Sequence, residues 1–303
     1  LLTLPHFAYL RVSDGCNNHC SYCVIPSIRG NLQSVTIEDL VTEAKSLAER
    51  GVKELIITAQ DTTQYGIDIY GKPKLYELLT ELHKIEKIKW IRLLYLHPAN
   101  ITTKLIDTIA KLPKVCKYFE IPIQHINDAI LQSMNRKITK KKIISIINEI
   151  RDKIPQAIIR TTLIVGYPGE TEEKFRELKD FIQQTKFERL GVFTYSREED
   201  TPAYNMKEQV PEKIAETRKD KLMSIQQSIS EKFLANQIGK KIKVIIDRIG
   251  DDKEFPLEGR SYFDAPEIDG TVFIEEENAE VGDILEVEIT DSWEYDLVGK
   301  IVN

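Results

Sequence analysis

Three cysteines stand close together in the stretch Cys16-Asn17-Asn18-His19-Cys20-Ser21-Tyr22-Cys23. Cysteine thiolates bind zinc and iron–sulfur clusters, and a fully ligated site of either kind takes four protein ligands. A set of three therefore leaves one position open for a ligand that is not protein. Zinc is the alternative, with His19, His125 or Cys116 as fourth ligand, although zinc motifs usually come as pairs of Cys or His doublets.

The cysteines follow a short predicted strand. Apolar and polar residues alternate from Phe7 to Val12, which is typical of a β-strand, so the thiols lie on the loop that leaves its carboxyl end. Active sites of α/β barrels lie at this end of the strands. The fourth cysteine, Cys116, is predicted to be a small buried residue just before another strand.

Composition narrows the class of protein. A chain of 303 residues with 42% apolar residues suits one large and one small domain. It has no apolar run of about eighteen residues and only four cysteines, which predicts a cytoplasmic protein without membrane contact or disulfide framework. The opening residues, Leu1 to Pro5, suggest a chain entered midway.

Apolar periodicity predicts an alternation of strands and helices up to residue 193, followed by a long helix. Strands are expected at 7–12, 55–59, 91–94, 118–121, 158–165 and 190–193, and helices at 36–51, 75–85, 101–111, within 128–151, at 171–184 and at 211–237. Six strands alternating with helices indicate a parallel sheet. Periodicity alone leaves open whether this sheet is doubly wound or a partial barrel.

The pattern changes at Gly239, where we place the boundary between a domain of residues 1–238 and a domain of residues 239–303. Short strands are expected at 242–246, 270–274, 284–289 and 297–302, which indicates a small antiparallel β-barrel. Residues 239–303 hold seven Lys and Arg against eighteen Asp and Glu, a net charge of −11, whereas residues 1–238 carry +5. An RNA-binding surface is expected to be basic.

The Cys-x3-Cys-x2-Cys spacing, with Tyr22 before the last cysteine, resembles the signature of the radical S-adenosylmethionine (SAM) superfamily. The resemblance implies a partial (β/α)6 barrel in which Cys16, Cys20 and Cys23 hold a [4Fe-4S] cluster whose open iron binds SAM. It also implies that Tyr22, Gln60, Asp61, Gln124, Arg160, Thr162 and Gly166 lie at the cofactor site. Ordinary alternatives are a strand-to-helix loop at Gln60, a structural role for His125, and a Pro-Gly turn near Gly166.

Further motifs resemble the methylthiotransferases of this superfamily, which carry a small β-barrel called a TRAM domain. The matching stretches are 16–23, 60–63, 95–98, 124–125, 166–170 and 258–270. The resemblance implies transfer of a methylthio group to the β-carbon of an aspartate in a small-subunit ribosomal protein, with flavodoxin or ferredoxin as reductant. It also implies a second [4Fe-4S] cluster in a longer parent chain, held by three cysteines that these 303 residues do not supply.

Two other functions compete with this one. The sister enzymes methylthiolate an adenosine in tRNA, and a zinc-stabilised RNA-binding module is a non-enzymatic alternative. The acidic tail disfavours tRNA and favours a basic protein partner because it repels phosphate. We expect the acidic run Glu275–Glu277 and the acids flanking Tyr262 and Phe263 to contact that partner.

Overall fold

The computed structural model describes residues 3–302, so Leu1 and Leu2 of the opening stretch lie outside the described residues. Its strands are β1 (Phe7–Arg11), β2 (Ser13–Asp14), β3 (Gln33–Ser34), β4 (Glu54–Thr58), β5 (Trp90–Leu93), β6 (Tyr118–Glu120), β7 (Ile158–Val165), β8 (Arg189–Thr194), β9 (Lys241–Ile249), β10 (Leu257–Ser261), β11 (Val272–Ile274), β12 (Ile284–Ser292) and β13 (Leu297–Ile301). Its helices are α1 (Ile25–Arg29), α2 (Ile37–Glu49), α3 (Ile67–Tyr70), α4 (Leu75–His83), α5 (Thr103–Lys111), α6 (Asp128–Ser133), α7 (Lys140–Lys153), α8 (Glu172–Thr185) and α9 (Glu212–Ala235).

Six parallel strands form the wall of a partial barrel, as predicted. They pair in the orders β1-β4-β5 and β6-β7-β8. The halves are joined between Ile91 and Val115, and the Leu96 amide donates to the Glu120 carbonyl at 2.9 Å. Strands β1 and β8 are the two edges, so the wall is open between them.

Local sequence explains why the helices begin and pack where they do. The hydroxyl of Thr36 caps α2 by accepting from the Asp39 amide at 3.2 Å, as the sequence predicts. The buried positions of α2 recur at helical spacing and pack on the outer face of the strands. No helix between residues 3 and 302 combines the length and apolar character needed to cross a bilayer.

The acidic tail forms a closed five-stranded barrel in the order β10-β11-β13-β12-β9. Two details differ from the sequence-based prediction. Strand β10 was not predicted, and β11 pairs with β13 in parallel, from Val272 opposite Leu297 to Ile274 opposite Gly299. Strand β12 pairs with the opposite edge of β13 in the antiparallel sense. The chain therefore crosses from β11 to β12 before it returns in β13, and β11 and β13 run in the same direction.

The tail barrel closes the lower end of the partial barrel through residues 260–269, which we call the plug segment. Arg92, on the inner face of β5, donates to the carbonyl oxygens of Tyr262 at 3.0 Å and Ser261 at 3.4 Å. Apolar side chains of both barrels share one core beneath it, among them Phe7, Tyr118 and Phe263.

Buried ion pairs join the plug segment to the strands. Glu54 lies between Arg92, at 2.8 Å from its Nε, and Arg260, at 2.8 Å from its Nη1, and all three side chains are buried. Asp269 pairs with Arg160 at 3.2 Å and accepts from the Tyr118 hydroxyl at 2.6 Å.

Asp264 of the plug segment pairs with Arg189 and is likewise buried. The prediction that the acids flanking Tyr262 and Phe263 form an external contact surface is therefore wrong for Asp264. Its charge neutralises an arginine of the other barrel, and that pairing keeps it away from solvent.

Replacing Glu54 by Gln is expected to destabilise the fold by about 3–5 kcal/mol, because Arg92 and Arg260 would stay buried without their anion. Burial opposes ionisation of Glu54, but Arg260 and Arg92 hold its pKa below the ordinary value. The carboxylate's contribution is therefore present above the ordinary glutamate pKa of about 4.3 and is lost as pH falls through the lower folded value. Urea unfolding of wild type and variant at pH 7 measures the loss, and the same comparison at a series of pH values below about 4.3 should show the difference between them shrinking.

The matched control is Glu81→Gln, which removes an exposed carboxylate that lies 2.7 Å from Lys84. Exposed pairs contribute at most about 1 kcal/mol. A loss for Glu54→Gln no larger than that of the control would contradict a structural role for the buried pairs.

Candidate active site

A cavity of about 530 Å³ lies above the plug segment, at the carboxyl ends of the parallel strands. The loop carrying the three cysteines forms one wall. Residues at or after the ends of β1, β4, β5 and β6 form the others, together with Thr162 within β7 and Arg136 after α6. The lining residues are Arg11, Cys16, Asn18, Cys20, Tyr22, Cys23, Ile25, Thr58, Ala59, Gln60, Tyr95, His97, Glu120, Pro122, Gln124, Arg136 and Thr162. Seven of the ten predicted site residues are thus brought together.

The cysteine loop begins with a turn that only glycine fits. Gly15 has φ of +69°, and a Cβ there would lie 2.1 Å from the carbonyl oxygen of Asn31. The next amide, that of Cys16, donates to the Gly30 carbonyl at 3.1 Å, and the Leu32 amide donates to the Asn17 side chain at 3.0 Å. These bonds close the loop on itself.

Asp61 fixes one side of the loop from the exit of β4. Its carboxylate accepts from the amide nitrogens of Asn18 at 2.7 Å, Gln64 at 2.8 Å and Asn100 at 3.2 Å, and from the Thr63 backbone at 3.0 Å. Asp61 is buried and is not among the residues that line the cavity. Its contacts therefore point to positioning the cysteine loop.

The end of α6 and the residues that follow it fix the other side of the loop. The Ser21 hydroxyl donates to the Ser133 carbonyl at 2.6 Å, and the Asn135 amide donates to the His19 carbonyl at 2.7 Å. Arg136 approaches the Cys20 sulfur, with Nη1 at 3.8 Å from Sγ. A segment more than 110 residues away in sequence therefore holds the middle of the loop.

The cysteine sulfurs lie in surroundings that suit bound thiolates. Cys16 and Cys20 are buried, and burial raises the pKa of Cys16 and of the half-buried Cys23. The Asn18 amide donates to the Cys16 sulfur at 3.4 Å, and Arg136 does so to Cys20. A positive ion or cluster would compensate for the ionisation that burial opposes.

The side-chain geometry disfavours a single bound ion. Sulfurs on one tetrahedral zinc would lie only about 3.8 Å apart. Within residues 3–302 no three His, Cys, Asp or Glu side chains converge closely enough to hold one ion. A four-iron cluster spreads its thiolates over different irons and tolerates wider spacing.

Two of the three possible fourth zinc ligands lie away from the cysteine loop. His125 is fully buried, with Nε2 at 3.4 Å from Glu170 and Nδ1 accepting from the Asn127 amide at 2.9 Å, so it is a structural residue. Cys116 lies in the shared core beneath the cavity, which confirms its prediction as a buried apolar residue. His19 is exposed.

Buried polar atoms without a partner occur around the cavity. They include the amide oxygens of Gln60 and Gln124 and the Nε of Arg136, with no acceptor or donor in the described part of the chain. Gln124 has φ of +69° and is held in that conformation by backbone bonds to Thr162 and Ile164 of β7. Unpaired buried groups are costly, and a polar ligand in the cavity would satisfy them.

Two other predicted residues do not line the cavity. Arg160 lies just below it and pairs with Glu120 at 3.4 Å as well as with Asp269 of the plug segment. The Gly166 amide donates to Glu170, and a Cβ at Gly166 would lie 2.4 Å from the Cβ of Ala215. The glycine therefore allows close packing of α9, whereas the sequence-based prediction attributed it to approach of a ligand.

Several lining residues were not predicted. Glu120 accepts from the Tyr95 amide at 3.0 Å, and burial raises its pKa. Burial and the charge of Arg136 lower the pKa of His97 to about 4, so its ring is neutral at pH 7. Tyr95 and His97 follow a strand, which is the signal that would have found them, whereas Arg136 follows a helix and gives no such signal.

Sequence comparison now decides the family. Residues 10–182 match the radical SAM superfamily, and residues 238–302 match the TRAM domain. The chain is 50% identical over 301 residues to the ribosomal protein uS12 methylthiotransferase RimO of Clostridioides difficile, covering 99% of this chain and 67% of that protein. The chain belongs to the RimO family of radical SAM enzymes. RimO of Clostridium botulinum strain Okra is 50% identical, covering 100% of this chain and 68% of that protein.

RimO relatives are thus matched over about two thirds of their length. Solved structures share the fold at much lower identity. The radical SAM methyltransferase TsrM of Kitasatospora setae has a TM-score of 0.52 at 19% identity, covering 65% of this chain and 38% of TsrM. Coproporphyrinogen III oxidase HemN of Escherichia coli also has a TM-score of 0.52, at 18% identity, covering 83% of this chain and 56% of HemN.

Replacing Asp61 by Ala is expected to loosen the cysteine loop, because three side-chain amides lose their shared acceptor. In metal-free protein the alkylation rate of Cys16 and Cys20 should rise about tenfold. This corresponds to a free energy of local opening that is lower by about 1.4 kcal/mol. The control is Asp68→Ala, which removes an exposed acceptor of the Ser34 amide. Equal alkylation rates in the two variants would show that Asp61 does not fix the loop.

Proposed function

We propose that this chain provides the radical SAM part of an enzyme that methylthiolates the β-carbon of an aspartate in ribosomal protein uS12. Membership of the RimO family supports the reaction class and the protein substrate. The observation that carries the proposal is the cavity itself, where three thiols on one fixed loop face unpartnered polar atoms at the carboxyl ends of the strands. Active sites of α/β barrels lie at this end.

Cys16, Cys20 and Cys23 are proposed to hold one [4Fe-4S] cluster. The fit rests on three thiols at one wall of the cavity, on donors to two of the sulfurs, and on side-chain spacing that does not suit a single ion. When bound, the cluster and SAM supply the electron and the radical chemistry. The loop keeps the sulfurs fixed, since it is held from both sides by Asp61 and Ser133.

SAM is proposed to occupy the cavity beside the cysteines. The guanidinium of Arg136 is buried and has a free Nε, which suits a carboxylate, and the Gln60 and Gln124 oxygens suit an amine or hydroxyl donor. Tyr22 and Thr162 complete the lining, and Tyr22 lies 3.5 Å from Arg136 through its hydroxyl.

The three remaining predicted residues are proposed to act through others. Asp61 positions the cysteine loop, Arg160 positions Glu120 from below, and Gly166 permits packing of α9. The plug segment excludes water from the lower side, so that a side chain entering the cavity meets SAM in a confined space.

A tRNA adenosine is the second candidate substrate, because the same two domains serve it in the sister enzymes. The net charge of −11 over residues 239–303 disfavours it, since phosphate would be repelled. The zinc-stabilised RNA-binding module is disfavoured because two of its possible fourth ligands, His125 and Cys116, lie away from the cysteine loop.

We propose that the two domains divide between residues 238 and 239. We also propose a cytoplasmic location, with flavodoxin or ferredoxin as reductant.

The basic substrate protein is proposed to approach the acidic tail barrel, including the run Glu275–Glu277. Glu275 is partly engaged there, with Lys300 at 3.3 Å, whereas Glu277 is exposed. Long-range attraction of this kind raises the encounter rate and weakens with salt.

A second [4Fe-4S] cluster is proposed to require cysteines outside these 303 residues. Beyond the cysteine loop the sequence holds only Cys116, and that residue is buried in the core. The chain by itself is therefore expected to cleave SAM without completing methylthio transfer.

Each of Cys16→Ala, Cys20→Ala and Cys23→Ala is expected to abolish four-iron binding, because each removes one of three ligands. Cys116→Ala is the control and should bind iron normally. Iron and sulfide analysis with visible absorption after anaerobic reconstitution measures the outcome. Tight zinc without four-iron absorption in wild type would overturn the enzyme proposal.

Incubation with SAM, dithionite and either uS12 or tRNA separates the two substrates. We expect this chain to release 5′-deoxyadenosine, and a longer form carrying the additional cysteines to add a methylthio group to uS12. Mass measurement of both substrates gives the result. A methylthiolated product from the 303 residues alone would show that a second cluster is dispensable, and modified tRNA would move the assignment to the tRNA enzymes.

A further inference from the structure

The plug segment reaches both edge strands of the partial barrel, since Asp264 pairs with Arg189 of β8 and Arg260 lies 5.3 Å from the Phe7 ring of β1. Glu267 and Ile268 are exposed, whereas Asp264 and Ala265, which precede them in the same segment, are buried. Tyr9 of the edge strand β1 is close enough that the charge of Glu267, after burial, helps to raise its pKa. The tip of the segment, Glu267 and Ile268, therefore lies beside the open side of the partial barrel.

The tip is held rigidly from both ends. Asp264 pairs with Arg189 on β8, and Asp269 binds Tyr118 and Arg160 on β6 and β7. The Ala265 amide also donates to Asp269 at 2.9 Å, which closes the turn. A turn fixed in this way presents its outermost side chains without a large entropy cost on binding.

Glu267 is unusual within this turn. Its φ is +64°, a conformation that disfavours residues other than glycine and asparagine. Unlike Asp264 and Asp269, it makes no ion pair within residues 3–302. A glutamate that gains no partner in the described fold and adopts an unfavourable backbone is not explained by folding alone.

Exposed aromatic side chains lie on both edge strands and just after β5. Tyr9 is 36% exposed, Tyr95 is 42% exposed, and Phe193 of the other edge strand is 60% exposed. Tyr95 also lines the cavity, and a Cβ at Gly191 would lie 3.6 Å from the Phe193 ring and 3.8 Å from Arg160. Tyr9 lies two residues before Arg11, which lines the cavity, and Phe193 lies two residues after Gly191, so each shares a strand face with a residue at or near the cavity. We call Tyr9, Tyr95, Phe193, Glu267 and Ile268 the mouth surface.

We propose that the mouth surface binds a basic segment of the substrate polypeptide, with Glu267 pairing with a lysine or arginine that flanks the modified residue. An acid beside tyrosine rings matches the charge and the cation–π preference of such a side chain. Phe193 and Ile268 supply apolar contact for its neighbours. This inference rests on the proposed protein substrate and adds the residues that select it.

The test compares Glu267→Gln and Glu267→Gly with the control Glu254→Gln, an exposed glutamate elsewhere on the tail barrel. Binding of fluorescently labelled uS12 is measured by anisotropy at low and at physiological salt. We expect both Glu267 variants to bind about fivefold more weakly at low salt, as for a partly exposed ion pair. The difference should shrink as salt rises, and the control should match wild type.

Thermal unfolding separates recognition from folding. Glycine relieves the positive φ, so Glu267→Gly should be no less stable than wild type despite its weaker binding. A variant that binds uS12 as well as Glu254→Gln does would overturn the inference. Failure of wild type to bind uS12 would instead overturn the proposed substrate, and a Glu267→Gln variant with stronger tRNA binding and unchanged uS12 binding would assign the mouth to nucleic acid.

Discussion

The buried carboxylate of Glu54 holds the two barrels of this chain together. It lies between Arg92 of its own barrel and Arg260 of the tail barrel, and Asp247 also pairs with Arg260. Burying such charges is costly, and a well-packed apolar substitute often stabilises a protein equally well. The ion pairs instead fix the arrangement of the two barrels. Any other docking of the tail barrel would leave an arginine buried without its partner, which would raise the free energy of the folded state.

This arrangement determines the depth of the active-site cavity. A six-stranded partial barrel has an interior that is open at its lower end and along one side. The plug segment fills the lower half, where Arg92, Tyr118 and Arg160 bind it, and leaves the upper half to the cavity. The RimO-family tail domain therefore supports the cavity floor from below. Arg160 links the plug segment to the cavity lining, because it pairs with Asp269 of the plug segment and with Glu120 of the lining.

Sequence periodicity predicted the parallel strands and most helices because their buried faces are regular. Strand β7 was predicted at its observed bounds. Strand β10 was not predicted because two of its residues are untypical of strands. Gly259 is needed there because a Cβ would lie 2.4 Å from a carbonyl oxygen, and the charge of Arg260 is neutralised only by partners distant in the sequence. The cysteines and strand-end glutamines could be predicted from spacing and position. Arg136 could not, since only the fold brings it to Cys20, 116 residues earlier in the chain.

The position of the plug segment also orders the events of folding. Residues 260–269 are synthesised after all six wall strands, and until they dock, Glu54, Arg92, Arg160 and Arg189 face a water-filled interior. Contacts of this sequence separation, up to 170 residues for Arg92 with Tyr262, form slowly because loop closure precedes any gain. A nascent chain stopped before residue 260 would therefore expose the charged interior of the partial barrel. Metal bound before that point would enter a site that the plug segment does not yet support from below.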